Sequence, residues 1–416
     1  MIVTKQNKKQ SDVVWSPIFT DPVEVKKISD LVKYIGDLKS QQNSNSTGLY
    51  FGTAGFSVFN AYLYKHYKSK KYLNLSLNQV QTSLDSLSQK KLNFSFCEGV
   101  SGICWGLFHL IDIGIVGREY REVIGDEINE LLYRHASIKL KIGHYDFLYE
   151  GLGSGIYLLN QFKNKKINNQ IFSLARDLEN TAEKSEKGIT WPYKFEADRN
   201  GYSLGLAHGV PSIIVFLSLI VKQQKSISFV NKLLEDAVKW LLGTKQPIGN
   251  FTCFATIYNY DQAYEDGRIA WCYGDISVAS CIWRAGIATN NSLWKSEAIS
   301  IMLHSAKKRG LKENFIVDAG FCHGCIGIAH IFNRFYQETQ IEDFKEAARY
   351  WYLATISYSK IGADNAGFQA YRKDKEEGVY WEKTVGLLDG TTGIGLALLA
   401  SISNIEPKWD RAFLLS

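Results

Sequence analysis

Residues 322–332 read CHGCIGIAHIF: a glycine, a second glycine three places on, and an apolar run behind them. The same design, in most copies with a glycine or another small residue three places after the first glycine, recurs as YFGTAGFSVF at 50–59, CEGVSGICWGLF at 97–108, YEGLGSGIYLL at 149–159, AHGVPSIIVFL at 207–217, CYGDISVASCIW at 272–283 and LDGTTGIGLALLA at 388–400. The first glycines are Gly52, Gly99, Gly151, Gly209, Gly274, Gly324 and Gly390. Copies therefore come roughly every 50–65 residues, longer than the usual helical-repeat periods. The copy at 149–159 is out of register, with Gly151, Gly153 and Gly155 where the others show a three-residue step. A helix that is apolar on every side belongs in an interior.

Between the copies lie segments of the opposite character. Amphipathic helices are predicted over residues 22–42, 71–89, 120–138, 168–187, 229–243, 294–309 and 341–359. In FVNKLLEDAVKWLL, Val230, Leu233, Leu234, Val238 and Leu241 recur at helical spacing, while Lys232, Glu235, Asp236 and Lys239 fall elsewhere. The chain thus alternates a charged, amphipathic helix with an apolar one, seven times. The simple closure of this pattern is an all-α fold, an α/α toroid of seven inner helices within seven outer ones, built as one domain over residues 1–416. Six prolines in 416 residues suit such a chain, because proline removes a helix donor and clashes with the preceding turn. Residues 187–203 and 246–266 break the alternation. Rich in aromatic, β-branched and turn residues, they are expected as short strands or long loops over the mouth of the ring.

If every inner helix starts at its glycine and runs the same way, seven N-termini gather at one end. The residues just ahead of the glycines then face a shared mouth: Phe51, Glu98, Glu150, His208, Cys272–Tyr273, Cys322–His323 and Asp389. Zinc is held by Cys and His, and catalytic sites use three protein ligands with the fourth position open. Cys272, Cys322 and His323 supply that set from equivalent places in two consecutive copies. Cys97, Cys104, Cys253 and Cys281 read as buried, inert thiols. Cys325 falls on the helix rather than in the mouth. His208 shares the repeat position of His323 and can carry a proton near neutrality or bind metal. Asp146, shortly before the third motif, suits either a helix cap or a functional role. Glu98 and Asp389 suit capping. His66, His109, His135, His144, His304 and His330 read as structural or surface residues.

The net charge of +6 carries no lysine/arginine block of the kind that binds nucleic acid. The N-terminal MIVTKQNKKQSDVVW lacks an apolar core like that of a secretory signal. The longest apolar stretch, Gly209–Val221, is too short to cross a bilayer. A cytoplasmic location without an integral membrane segment is expected, with the seven cysteines reduced.

GLAHGVPS, RIAWCYGD, FCHGCIG and the closing GLLDGTTGIG resemble the lanthionine synthetase C-like, or LanC, family, in order along nearly the whole chain. The resemblance implies an α/α toroid with a catalytic zinc. It also implies cyclisation of a dehydrated precursor peptide, in which a substrate cysteine adds to dehydroalanine or dehydrobutyrine and forms a lanthionine or methyllanthionine thioether. On that pattern His208 protonates the enolate and Asp146 acts on His208 or as a second proton-transfer group. Arg268 stabilises the enolate and Tyr273 stands beside the metal ligands. Family members show a glycine four residues after the aspartate, where this chain has Glu150; a one-residue insertion accounts for the slip. The length leaves no room for a fused dehydration domain, so a separate dehydratase and export machinery are the expected partners. Two other readings keep the zinc: addition of glutathione to dehydrated proteins, and a non-catalytic peptide-binding module stapled by zinc. An α/α-barrel glycosidase would need paired carboxylates and leaves the Cys and His residues without a task.

Overall fold

A computed structural model of the chain describes residues 14–38, 45–89, 92–162, 164–193, 201–247, 249, 251–259, 267–374 and 378–416. Seven inner helices, Thr53–Tyr67, Val100–Asp112, Gly151–Leu158, Val210–Gln223, Asp275–Thr289, Cys325–Thr339 and Thr391–Ile402, each pack on the next, and the last packs on the first. Around them stand Pro22–Gly36, Lys70–Gln89, Asp126–Lys141, Lys165–Thr181, Ser228–Leu242, Ser292–Ala306 and Glu342–Ser357. The architecture is therefore the expected double ring. None of the described helices is long and apolar enough to cross a membrane.

The two rings start their helices by different chemistry. Three outer helices use side-chain caps: Asp21 accepts from the Val23 and Glu24 N–H, Asn164 from Lys166 and Ile167, and Asn291 from Leu293 and Trp294. Such caps satisfy donors that have no intrahelical partner. Inner helices are capped by their own preceding loop. The first N–H of each of four helices donates to the carbonyl seven residues earlier: Thr53 to Ser46, Val100 to Asn93, Cys325 to Asp318 and Thr391 to Thr384. This tight return explains the paired glycines. A Cβ on Gly324 would lie 2.3 Å from the Asp318 side chain, and one on Gly327 would lie 1.9 Å from the Phe321 carbonyl oxygen. Gly274 alone among the seven capping residues has positive φ (91°), a conformation open to glycine.

The same bond corrects the reading of the third copy. Gly151 N–H donates to the His144 carbonyl, again seven residues back, so Gly151 is the first helical residue and Glu150 is the N-cap. Glu150 is extended (φ −120°, ψ −153°), close to Gly52 (φ −140°, ψ −164°). Gly153 meets the Phe147 carbonyl as Gly327 meets that of Phe321. There is no insertion: Glu150 stands in the glycine's place, and Tyr149 rather than Glu150 occupies the position of His208 and His323.

Backbone bonds also join neighbouring loops around the rim. Tyr50 N–H donates to Cys97, Cys97 to Leu148, Cys272 to Cys322 and Cys322 to Leu388, each two residues ahead of its cap. Several predicted boundaries shift. The first outer helix ends at Gly36; residues 39–42 lie outside the described set. The segment expected to be helical to 187 instead leaves the helix at Thr181 and forms the strand pair Glu183–Ser185 and Gly188–Thr190. Tyr202–Ser203 pairs with Ile257–Tyr258, joining the two irregular stretches; residues 194–200, 248, 250 and 260–266 lie outside the described set. The hairpin Ala370–Asp374/Gly378–Glu382 was not anticipated. Its second strand is exposed throughout, so it shows no inward-facing alternation.

Candidate metal centre

Cys272 and Cys322 sit in adjacent rim loops tied by the Cys272 N–H to Cys322 carbonyl bond of 3.1 Å. With His323 they bring one ligand atom each to within 4.8 Å of the others. Two sulfurs and one imidazole nitrogen are donors of the kind zinc takes, and catalytic zinc sites use three protein ligands with the fourth position open. Cys272 is buried, while Cys322 and His323 are partly open to the mouth. A hydrogen bond from Cys322 holds the Cys272 thiol well below its ordinary range, and His323 and Arg268 act in the same direction against burial. Burial opposes charge on His323, yet hydrogen bonds to Asp318 and Cys272 outweigh it and bring the imidazole up to about 10. Cys322 moves the opposite way, held up by its hydrogen bond to Cys272 and by burial.

Sequence reasoning missed Asp318. Its fully buried carboxylate lies 3.5 Å from His323 Nε2 and accepts from the Gly320 N–H at 2.9 Å and the Tyr371 N–H at 3.0 Å. A carboxylate behind a ligand histidine orients the ring and raises its basicity.

One copy back along the rim, His208 Nδ1 donates to Asp146 Oδ2 at 2.5 Å. Asp146 Oδ1 accepts the N–H groups of Leu148 (2.8 Å) and Tyr149 (2.9 Å). Asp146 is not the helix N-cap, which is Glu150; it braces its loop with one oxygen and holds His208 with the other. The Tyr149 ring stacks on His208 at 6.1 Å with planes 7° apart, and Tyr193 and Tyr273 stand at 6.5 and 6.2 Å. Tyr273 joins the two halves of the site, adjoining Cys272 in the chain and His208 in space. Burial pushes its phenol up, and the charge on Cys272 adds to this. A cavity of about 130 Å³ opens beside His208, walled by His144, Tyr145, Asp146 and Tyr193.

A family model for the lanthionine synthetase C-like proteins matches residues 43–414. The chain belongs to that family. Glutathione S-transferase LANCL1 of Danio rerio is 25% identical over 335 residues, which is 76% of this chain and 76% of the relative. Nisin cyclase matches in structure with a TM-score of 0.72 at 18% identity, covering 95% of this chain and 98% of that one. This likeness establishes the toroid shared with a LanC-like protein.

The remaining residues of this family member divide as follows. Arg268 acts electrostatically on both Cys272 and Cys322, donates through Nη2 to the Phe315 carbonyl at 2.7 Å, and has a buried Nε without a hydrogen-bond partner. Glu98 and Asp389 are not helix caps, since Gly99 and Gly390 hold those positions. Asp389 instead pairs with Arg372 of the hairpin at 2.7 Å. Cys97 is fully buried beside Tyr149, and Cys325 lies outside the three-ligand cluster. His144, expected to be structural or at the surface, faces the cavity and pairs with Glu150 at 3.4 Å. Cys253, Asp275 and His304 also converge, but Asp275 is already committed to Lys308 at 3.1 Å and to the N–H groups of Cys253 and Phe254. That cluster braces a loop.

Proposed function

We propose that this protein is a zinc-dependent lanthipeptide cyclase, adding cysteine thiols of a dehydrated precursor peptide to dehydroalanine or dehydrobutyrine to form (methyl)lanthionine rings. The observation that carries the reading is the convergence of Cys272, Cys322 and His323 at the rim, with the His208–Asp146 pair supplied by the two preceding loops and reached through Tyr273. Bound zinc would keep a substrate thiol ionised at neutral pH, where a free thiol is mostly protonated. The protein's own residues manage the rest. Addition of sulfur to the β-carbon places the displaced electron pair on an enolate, which then needs a proton at the α-carbon. Asp146 holds the His208 proton on Nδ1, so Nε2 is left to take the proton that the substrate thiol gives up and then deliver it to the α-carbon. Arg268 supplies positive charge next to the cysteines, and Tyr273 separates the thiol end of the site from the proton end. The cavity beside His208 suits the residues flanking the reacting alkene. The reading implies a separate dehydratase upstream and export of the product from a cytoplasmic site of synthesis.

The likeness to a glutathione S-transferase supports a second reading with the same residues, in which the thiol comes from glutathione. One experiment separates the two. The zinc-loaded protein is incubated with a dehydrated peptide containing one cysteine, with and without glutathione, and free thiols and mass are followed. Loss of the peptide thiol at constant mass supports cyclisation, whereas a mass gain of one glutathione supports the second reading. If neither occurs with any dehydrated peptide, the thioether chemistry is refuted.

A further inference from the structure

The end of the chain runs into the ring and reaches the underside of the metal site. The turn Lys408–Phe413 is followed by Leu414 in left-handed backbone (φ 60°), and Trp409, Phe413, Leu414 and Leu415 are all buried. Asp410 anchors the segment, accepting from Arg334 Nη2 at 2.7 Å and from His330 Nε2 at 3.0 Å on an inner helix. The Phe413 ring lies 4.0 Å from that of Phe321 and 5.2 Å from those of Trp271 and Tyr50. The Phe413 carbonyl accepts from Trp271 Nε1 at 2.8 Å, and the Ala412 carbonyl from the Tyr50 hydroxyl at 2.5 Å. Trp271 and Phe321 are fully buried, and they are the residues immediately before Cys272 and Cys322. One segment therefore supports both cysteine-bearing loops from below.

We infer that Phe413 is a positioning residue for the metal centre, setting the separation of Cys272 and Cys322 through Trp271 and Phe321. The inference rests on the zinc reading above. Metal–ligand distances tolerate shifts of only about 0.2 Å. Removing an aromatic ring from a close-packed interior leaves a space that its surroundings fill only in part. Without the Phe413 ring the two loops lose their common stop and drift relative to each other. His323 depends less on this support, because Asp318 holds it from the other side.

The test is zinc affinity, measured by competition with a chromophoric chelator, together with the absorption spectrum of the cobalt(II)-substituted protein. Phe413→Ala should weaken zinc binding about tenfold or more and shift the sulfur-to-cobalt bands. Phe413→Leu keeps an apolar stop and should stay within about threefold of the parent. Trp271→Phe fills the same floor without the donor to the Phe413 carbonyl, and should weaken binding by at least about threefold. Circular dichroism checks the fold of each variant. A folded Phe413→Ala protein with parental affinity and spectrum overturns the inference; if that variant does not fold, unchanged affinity in Trp271→Phe overturns it. Parental protein that binds no zinc overturns the zinc reading and this inference with it.

Discussion

Asp146 offers a prediction in which two roles of one side chain separate. Oδ1 satisfies the N–H groups of Leu148 and Tyr149, and Oδ2 holds His208 Nδ1. Asp146→Ala removes both acceptor oxygens, and with them three hydrogen bonds, in a buried place. The Leu148 N–H is fully enclosed, and leaving a buried donor unmade costs about 1–3 kcal/mol. The Tyr149 N–H is only partly enclosed and adds less. The alanine variant should therefore lose about 2–4 kcal/mol of stability in all. Asp146→Asn keeps a carbonyl oxygen for the two backbone donors and should lose about 1 kcal/mol. Its amide nitrogen, however, now faces Nδ1 as a donor, which forces the imidazole into the opposite tautomer. Proton transfer by a positioned side chain contributes about 10²–10⁴-fold, so ring formation by the asparagine variant should slow by about 10²-fold or more. Stability is read from denaturant melts and activity from thiol loss on a dehydrated peptide. If the two variants are equally stable, Oδ1 is not bracing the loop. If Asp146→Asn forms rings at the parental rate, Asp146 does not act through His208.

Three other expectations follow from particular contacts. Cys322→Ala should strip most of the zinc as read by elemental analysis, and stoichiometric metal in the variant would show the ligand set to be wrong. Glu150→Gly should leave the fold within about 1 kcal/mol, since it restores the residue of the other copies and gives up only the partly exposed pairs with Lys139 and His144; a loss of several kcal/mol would mean Glu150 does more than stand in for glycine. For Asp410, burial alone would raise the carboxyl, but Arg334 and His330 outweigh it and hold the group well below the usual range. The lowered folded-state value means its stabilisation is complete above the unfolded aspartate pKa of about 3.9 and is lost as pH falls below that. Asp410→Asn should cost about 3–5 kcal/mol near neutrality and flatten the acid limb of the stability curve, and limbs that stay parallel would refute this.

The ring was legible because its signals are local. An inner helix such as Thr391–Ile402 is buried on every side, and its sequence is apolar on every side. The rim was legible for a related reason. In a closed ring each copy lies beside the next, so chain order is rim order, and Asp146, His208, Cys272 and Cys322–His323 come from four consecutive copies. What failed was the alignment of the third copy by its glycines. The repeat is set by the loop's return to a carbonyl seven residues back, and in the third copy the extended N-cap with negative φ is Glu150 where the other copies have glycine. Counting from that bond would have placed Tyr149 opposite His208 and removed the supposed insertion. Asp318 and Phe413 were beyond reach on other grounds. Asp318 is recognisable only once the hairpin at 370–382 docks its Tyr371 N–H on it, and Phe413 belongs to a segment after the last copy that acquires its partners only when the ring encloses it. Groups that reach along the rim can be inferred from a repeat. Groups that support it from beneath or behind have no period, and their part in the site exists only in the assembled toroid.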